Sequence, residues 1–271
     1  MVPPRVLLLC ALAFLPIHLR AQAHKAPPLN INEIIDHAIA RGEQEDKDEK
    51  NGRELVGTQH TTTEDFNDNG SVKEHSEFIR EPVVIGGRVF MRTVSRNGQP
   101  LSGKYLSKEK DREKKFRDTV ARNKDEAKRR DEDQDVKLDR ELFNRFLVSL
   151  EGEESVNGRT AWLLSFHPKP GEKPERTRAE RVVNHLAGKI WIDQHAYEIV
   201  RADLSLTQPV TFYGVVANIR ALHFQLEQKA VGEFWHPSFL DMRVEGRALL
   251  TSLHQHSHSD FSNFRMQSDL H

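Results

Sequence analysis

Cysteine is almost missing from this 271-residue chain, with Cys10 as the whole complement. One thiol excludes an intrachain disulfide framework and a cysteine-rich zinc site. An excess of either charge is missing too. The chain carries 40 Lys+Arg against 41 Asp+Glu, a balance that argues against a dedicated nucleic-acid binder with a clustered basic surface. No apolar run reaches the roughly 20 residues that a spanning helix needs. No repeat of fixed period points to a solenoid or propeller. Catalytic signatures are lacking as well: there is no Gly-rich phosphate loop, no G-x-S-x-G elbow and no H-E-x-x-H helix. These absences point away from an enzyme, and no cofactor is expected.

What is present begins at the N-terminus. Arg5 precedes the apolar run Val6–Ile17, and Ala21-Gln22-Ala23 places small residues at the −3 and −1 positions of a cleavage site. This is the layout of a secretory signal peptide over residues 1–23, with cleavage after Ala23. Pro16 and Arg20 interrupt the alternative, a buried helix. Leu9 before Cys10 is too large for lipoprotein processing, so the cysteine leaves with the signal and the mature chain has none. A periplasmic or otherwise exported protein is the expected product. Residues 24–271 are expected to form a single domain, since all-β folds of this length are common.

Ile31, Ile34, Ile35, Ala38 and Ile39 recur at helical spacing, which predicts an amphipathic helix of two to three turns ended or frayed by Gly42 and the charge run 43–50. Strands follow, with Asn67-Asp68-Asn69-Gly70 and Asn97-Gly98 as hairpin turns. Between Lys104 and Arg140 there are 14 Lys+Arg and 11 Asp+Glu with few apolar residues. Mixed signs at this density suit a long solvated helix or a partly disordered insertion over about residues 101–140, with a partner- or membrane-surface arm as the alternative. Strands resume at Phe143 and continue to Met266, about ten in all by their hairpin spacing. The expected fold is α+β, dominated by one antiparallel sheet.

Two sets of residues are candidates for function. His254, His256 and His258 alternate along a predicted strand, so their imidazoles share one face about 6–7 Å apart. Three neutral imidazoles could serve zinc, copper or nickel, although a His-rich strand end with no ligand is the blander reading. The second set is aromatic: Trp162, Trp191, Phe212, Phe224 and Trp235 lie on predicted strands or their ends. Most such residues are ordinary core, but a curved sheet can turn them onto a concave apolar face. Along 210–228 both alternating sets carry apolar residues, which means that both faces are covered by something.

Val156-Asn157-Gly158-Arg159-Thr160, running into Trp162–Pro168, resembles a strand pair of outer-membrane lipoprotein-sorting-like proteins, the LolA/LolB-like superfamily. Gly188–Asp193 with Tyr197–Arg201 is similar to that group's hairpin, and Phe234-Trp235-His236-Pro237 and Phe261–Arg265 are similar to its C-terminal pattern. The resemblance covers about residues 142–266. It implies a curved antiparallel sheet, an unclosed β-barrel or half-barrel around helices, that takes up a lipoprotein, an acyl chain or another apolar ligand without catalysis. The charged segment 101–140 is an insertion relative to the small carriers. On this reading the partners are an apolar ligand, with an envelope protein as a second possibility, and any membrane contact is transient. A sensor that uses segment 101–140, and a metal-binding protein or hydrolase that uses the three histidines, are the rival readings.

Overall fold

The computed structural model describes residues 30–122, 136, 138–171, 173–212, 217–248 and 251–270. The signal segment with its cleavage site, and residues 123–135 of the charged segment, lie outside them. Residues 31–271 make one compact unit.

Its frame is one antiparallel sheet of twelve strands: β1 (Leu55–Phe66), β2 (Val72–Ile85), β3 (Arg88–Arg96), β4 (Gln99–Pro100), β5 (Phe146–Val156), β6 (Arg159–Pro168), β7 (Leu186–Asp193), β8 (Ile199–Leu206), β9 (Val210–Phe212), β10 (Ala217–Val231), β11 (Phe234–Ala248) and β12 (Thr251–Met266). The hydrogen-bonded order is β4-β3-β2-β1-β12-β11-β10-β8-β7-β6-β5, with β9 on β10. β4 and β5 are its free ends, so the sheet is unclosed, as the half-barrel expectation required.

Hairpins make most steps in that order. The exceptions are β8 beside β10, with β9 between them in the chain, and β12, the last strand, which inserts beside β1 and joins the N-terminal meander to the C-terminal one. The charged segment therefore connects the two free edges of the sheet. Its first part is helix α2 (Gly103–Arg122), which lies along β3. Phe116 packs 5.0 Å from Phe90, and Arg92 Nε donates to Glu113 at 3.0 Å.

Helix α1 (Ile31–Lys50) runs 20 residues, longer than the two to three turns expected. Gly42 does not end it, because the following charges pair along the helix, with Arg41 Nη2 2.8 Å from Glu45 Oε1. The chain turns only at Asn51-Gly52, where Gly52 takes φ +73°. The apolar face of α1 is the one that the spacing predicts. Ile34, Ile35 and Ala38 are buried with Trp162, Leu164, Ile190, Ile192 and Ala202, and Ile31 and Ile39 pack at the margin. A second cluster (Val156, Ala161, Leu163, Trp191 and Val200) lies on the opposite face of the same strands.

Two short helices were not expected from the sequence. In α3 (Arg140–Phe143) Asp139 caps the N-terminus by accepting from Leu142 N–H at 2.8 Å. In α4 (Arg178–Val183) Thr177 accepts from Glu180 N–H at 3.1 Å. Periodicity is invisible in segments of four and six residues, so only capping chemistry could have marked them. The strand count also exceeds the expected ten, because strands as short as β4, with two residues, and β9, with three, carry no readable alternation.

Candidate functional site

A cavity of about 500 Å³ opens between the C-terminal half of α1 and the tip of the β10–β11 hairpin. The helix and the turn after it bring Arg41, Glu45, Asp46, Asp48, Glu49, Arg53 and Glu54 to one side. The hairpin tip, Phe234, Trp235 and Pro237, forms the other side, with Phe261 of β12. The hairpin turns at Gly232, whose φ of +66° is the left-handed geometry that glycine adopts without strain. His236 fixes the aromatic wall: its ring lies 5.4 Å from Phe261 and 4.5 Å from Phe264, and its Nδ1 sits 2.9 Å from the Pro237 carbonyl.

The cleft's charged side is short of cations. Arg41 is committed to Glu45 at 2.8 Å and Glu198 at 3.0 Å, and Arg53 to Asp48 at 3.6 Å and Glu233 at 3.4 Å. Burial, together with the charge and hydrogen bond of Glu198, pushes the Glu45 carboxyl up to about 8, against the opposing pull of Arg41. Burial and the charge of Glu49 push Glu54 up to about 7.

A raised carboxyl binds its proton more tightly in the folded than in the unfolded protein. Its contribution to stability is therefore complete below about 4.5 and is lost as pH rises through the folded value. Between pH 6.5 and 8.5 the carboxyls that the fold holds low stay ionised. His185 and His236, which burial pushes down, favour the fold as pH rises through their unfolded value of 6.5 and so oppose that loss only at the start of the interval. The melting temperature is therefore expected to fall across this interval and to fall less in Glu45→Gln. An equal slope in both proteins, measured by calorimetry, would show that the Glu45–Glu198 contact does not form.

Of the five aromatic residues singled out from the sequence, only Trp235 lines this cleft. Trp162 is buried beneath α1, with its ring 5.5 Å from Tyr197. Trp191 lies on the opposite face, where its Nε1 donates to Glu154 at 2.8 Å and the Arg201 guanidinium covers its ring at 5.0 Å. Phe224 packs on the α1-covered core, and Phe212 ends β9 with Arg181 5.7 Å from its ring. Neighbouring strands pair Trp162 with Ile192 and Leu163 with Trp191. Strand alternation thus sends the two tryptophans to opposite faces.

The three histidines do project from one face of β12, in register with a belt of acids. His256 Nε2 lies 2.7 Å and His258 Nδ1 3.3 Å from Asp241 Oδ2, and His258 Nε2 lies 3.1 Å from Asp260. His254 instead meets Arg220 at 3.1 Å. Burial would raise the Asp241 carboxyl, but hydrogen bonding and charge from His256, with His258 and Arg243, hold it below the usual range. His254 and His256 also line a second cavity of about 420 Å³ with Glu64, Arg243 and Glu245. Among the described residues no group of three or more His, Cys, Asp or Glu side chains is arranged to hold a metal ion.

No protein-family model and no curated protein matches the sequence. Among solved structures, the chain is similar to an outer membrane lipoprotein-sorting protein domain from Vibrio parahaemolyticus, at 11% identity and a TM-score of 0.36, over 88% of this chain and 95% of that one. It is also similar to a DUF1329 family protein from Desulfovibrio piger (14% identity, TM-score 0.31, 89% and 95% covered). A LolA superfamily protein from Nitrosomonas europaea is a third (11% identity, TM-score 0.29, 87% and 92% covered). No described helix is long and apolar enough to cross a membrane.

Proposed function

We propose that the chain is an exported, non-enzymatic binding protein that holds an apolar ligand, such as the acyl chain of a lipid or lipoprotein, in the cleft between α1 and the β10–β11 hairpin. One observation carries this reading: a cavity of about 500 Å³ walled on one side by Phe234, Trp235, Pro237 and Phe261. That volume falls in the range of small-molecule sites. Binding draws on apolar burial at about 25 cal/mol per Å² before association costs. Trp162, Trp191 and Phe224 pack in the core clusters and Phe212 ends β9, so Trp235 is the one of the five that meets the ligand.

Native mass spectrometry of the protein purified from the cell envelope is expected to show a co-purifying lipid-sized mass. A fluorescent fatty acid is expected to bind saturably, and Trp235→Ala to weaken it about tenfold, the equivalent of ~1.4 kcal/mol. A Trp235→Ala protein that folds and binds the probe as tightly as the parent removes the cleft as the site.

A further inference from the structure

A guanidinium taken out of water without a counter-ion is costly, so a half-buried arginine that lacks one marks a place where an anion is favoured. Arg80 on β2 is such a residue. Its Nη1 donates to Gln59 Oε1 at 3.4 Å and Thr61 Oγ1 at 3.3 Å, both neutral acceptors at long range. Among the described residues no carboxylate comes within ion-pair distance of it. Glu109 is the acid that acts on it, and Glu109 is already engaged: Arg112 donates to it through Nη2 at 2.6 Å and Nε at 3.0 Å, and Thr93 N–H donates at 2.9 Å. Burial and the charge of Arg112 both push the Arg80 guanidinium below its ordinary value.

A second arginine borders the same spot. Strand pairing sets Arg96 opposite Phe78, and the Phe78 ring lies 5.4 Å from the Arg80 guanidinium and 5.6 Å from that of Arg96. Arg96 uses Nη2 on Glu74 at 2.5 Å and Ser76 at 2.9 Å, while its Nε is buried with no partner. Arg80 and Arg96 thus flank one Phe78 ring, and the charge of Arg112, itself held by Glu109 and the Met91 carbonyl, acts on Arg80.

We infer that Arg80, with Arg96 and Arg112, binds a phosphate-type oxyanion between the β2–β3 hairpin and α2. Guanidinium donors supplied by separate arginines on neighbouring elements suit a tetrahedral, multiply charged anion better than a single planar carboxylate. The same chemistry is offered by a phospholipid headgroup and by free phosphate. This site is separate from the apolar cleft and does not depend on it.

The test has two arms, both with the full chain at low ionic strength: calorimetric titration with inorganic phosphate, and flotation with phosphatidylglycerol or phosphatidylcholine vesicles. Saturable phosphate binding supports a free anion. Flotation with phosphatidylglycerol alone, reversed by phosphate, supports a headgroup. In either case Arg80→Gln is expected to lower affinity at least tenfold, and Arg80→Lys, which keeps the charge and loses the fork, to retain only part of it. Without phosphate, Arg80→Gln is expected to melt no lower than the parent, because it removes an uncompensated charge; this separates lost binding from lost folding. A parent protein that binds neither phosphate nor anionic vesicles, or a folded Arg80→Gln that keeps parental affinity, overturns the proposal.

Discussion

Glu180→Ala is expected to lower the free energy of unfolding by about 3–5 kcal/mol, the range for breaking a buried ion pair from one side. Glu180 is 1% exposed and Arg145 5%. The carboxylate accepts from Arg145 Nη1 at 3.0 Å, and from Arg176 through Nε at 2.6 Å and its backbone N–H at 2.9 Å. Arg145 Nη1 also donates to Pro174 O and Asn184 Oδ1. Removing the carboxylate leaves a buried guanidinium facing neutral acceptors, with Glu141, 2.9 Å away and exposed, as the remaining counter-charge.

The position explains the magnitude. This network ties α3, where the charged segment returns to the sheet, to α4 and the loop before it. Burial would raise the Glu180 carboxyl, but the hydrogen bonds from Arg176 and Arg145 outweigh it and hold it below its ordinary value of 4.5. A lowered carboxyl adds stability that is present above that value and is lost as pH falls through the folded one. Glu180→Gln should therefore show a flatter loss of stability in acid than the parent, and a smaller loss at neutral pH than the alanine variant. Urea unfolding at pH 7 and pH 3 measures both, and a deficit below about 1 kcal/mol for Glu180→Ala would mean that the network is not formed.

Ile34→Ala is the second large effect, about 2–5 kcal/mol by analogy with other buried aliphatic truncations. Ile34 is 0% exposed and packs in the cluster with Trp162, Leu164, Ile190 and Ile192. A cavity opened there sits between α1 and the sheet, so tryptophan emission should shift to the red in step with the loss of stability. If the variant unfolds with the parent's midpoint, α1 is not part of the core.

The features legible in the sequence were those set by local pattern. The α1 face of Ile31, Ile34, Ile35, Ala38 and Ile39 follows helical periodicity, and the turns at Gly70 and Gly98 follow the Asn-Gly preference for positive φ. The end of β1 and the start of β2 flank the Asn67–Gly70 turn for the same reason. Less was legible in the candidate site. The five aromatic residues alternate along strands whose two faces are both apolar, and no local property separates Trp162, under the helix, from Trp191, on the far side. The acidic side of the cleft was read as a helix end, because residues 43–50 meet the β10–β11 hairpin only in three dimensions. Arg80 carried no sequence signal at all, since a missing counter-ion shows only when every neighbour is placed.

The sequence by itself determined an antiparallel fold, an amphipathic first helix, and a charge-dense segment set apart from the apolar strands, because each depends on residues a few positions apart. The tertiary structure alone decided that β12 closes against β1, that the charged segment links the two free edges of the sheet, and that Trp235, but not the other four aromatic residues, lines the cleft. The last of these outcomes depends on which of the two apolar faces of the strands helix α1 covers. That choice is made by packing between residues more than a hundred positions apart, where periodicity carries no information.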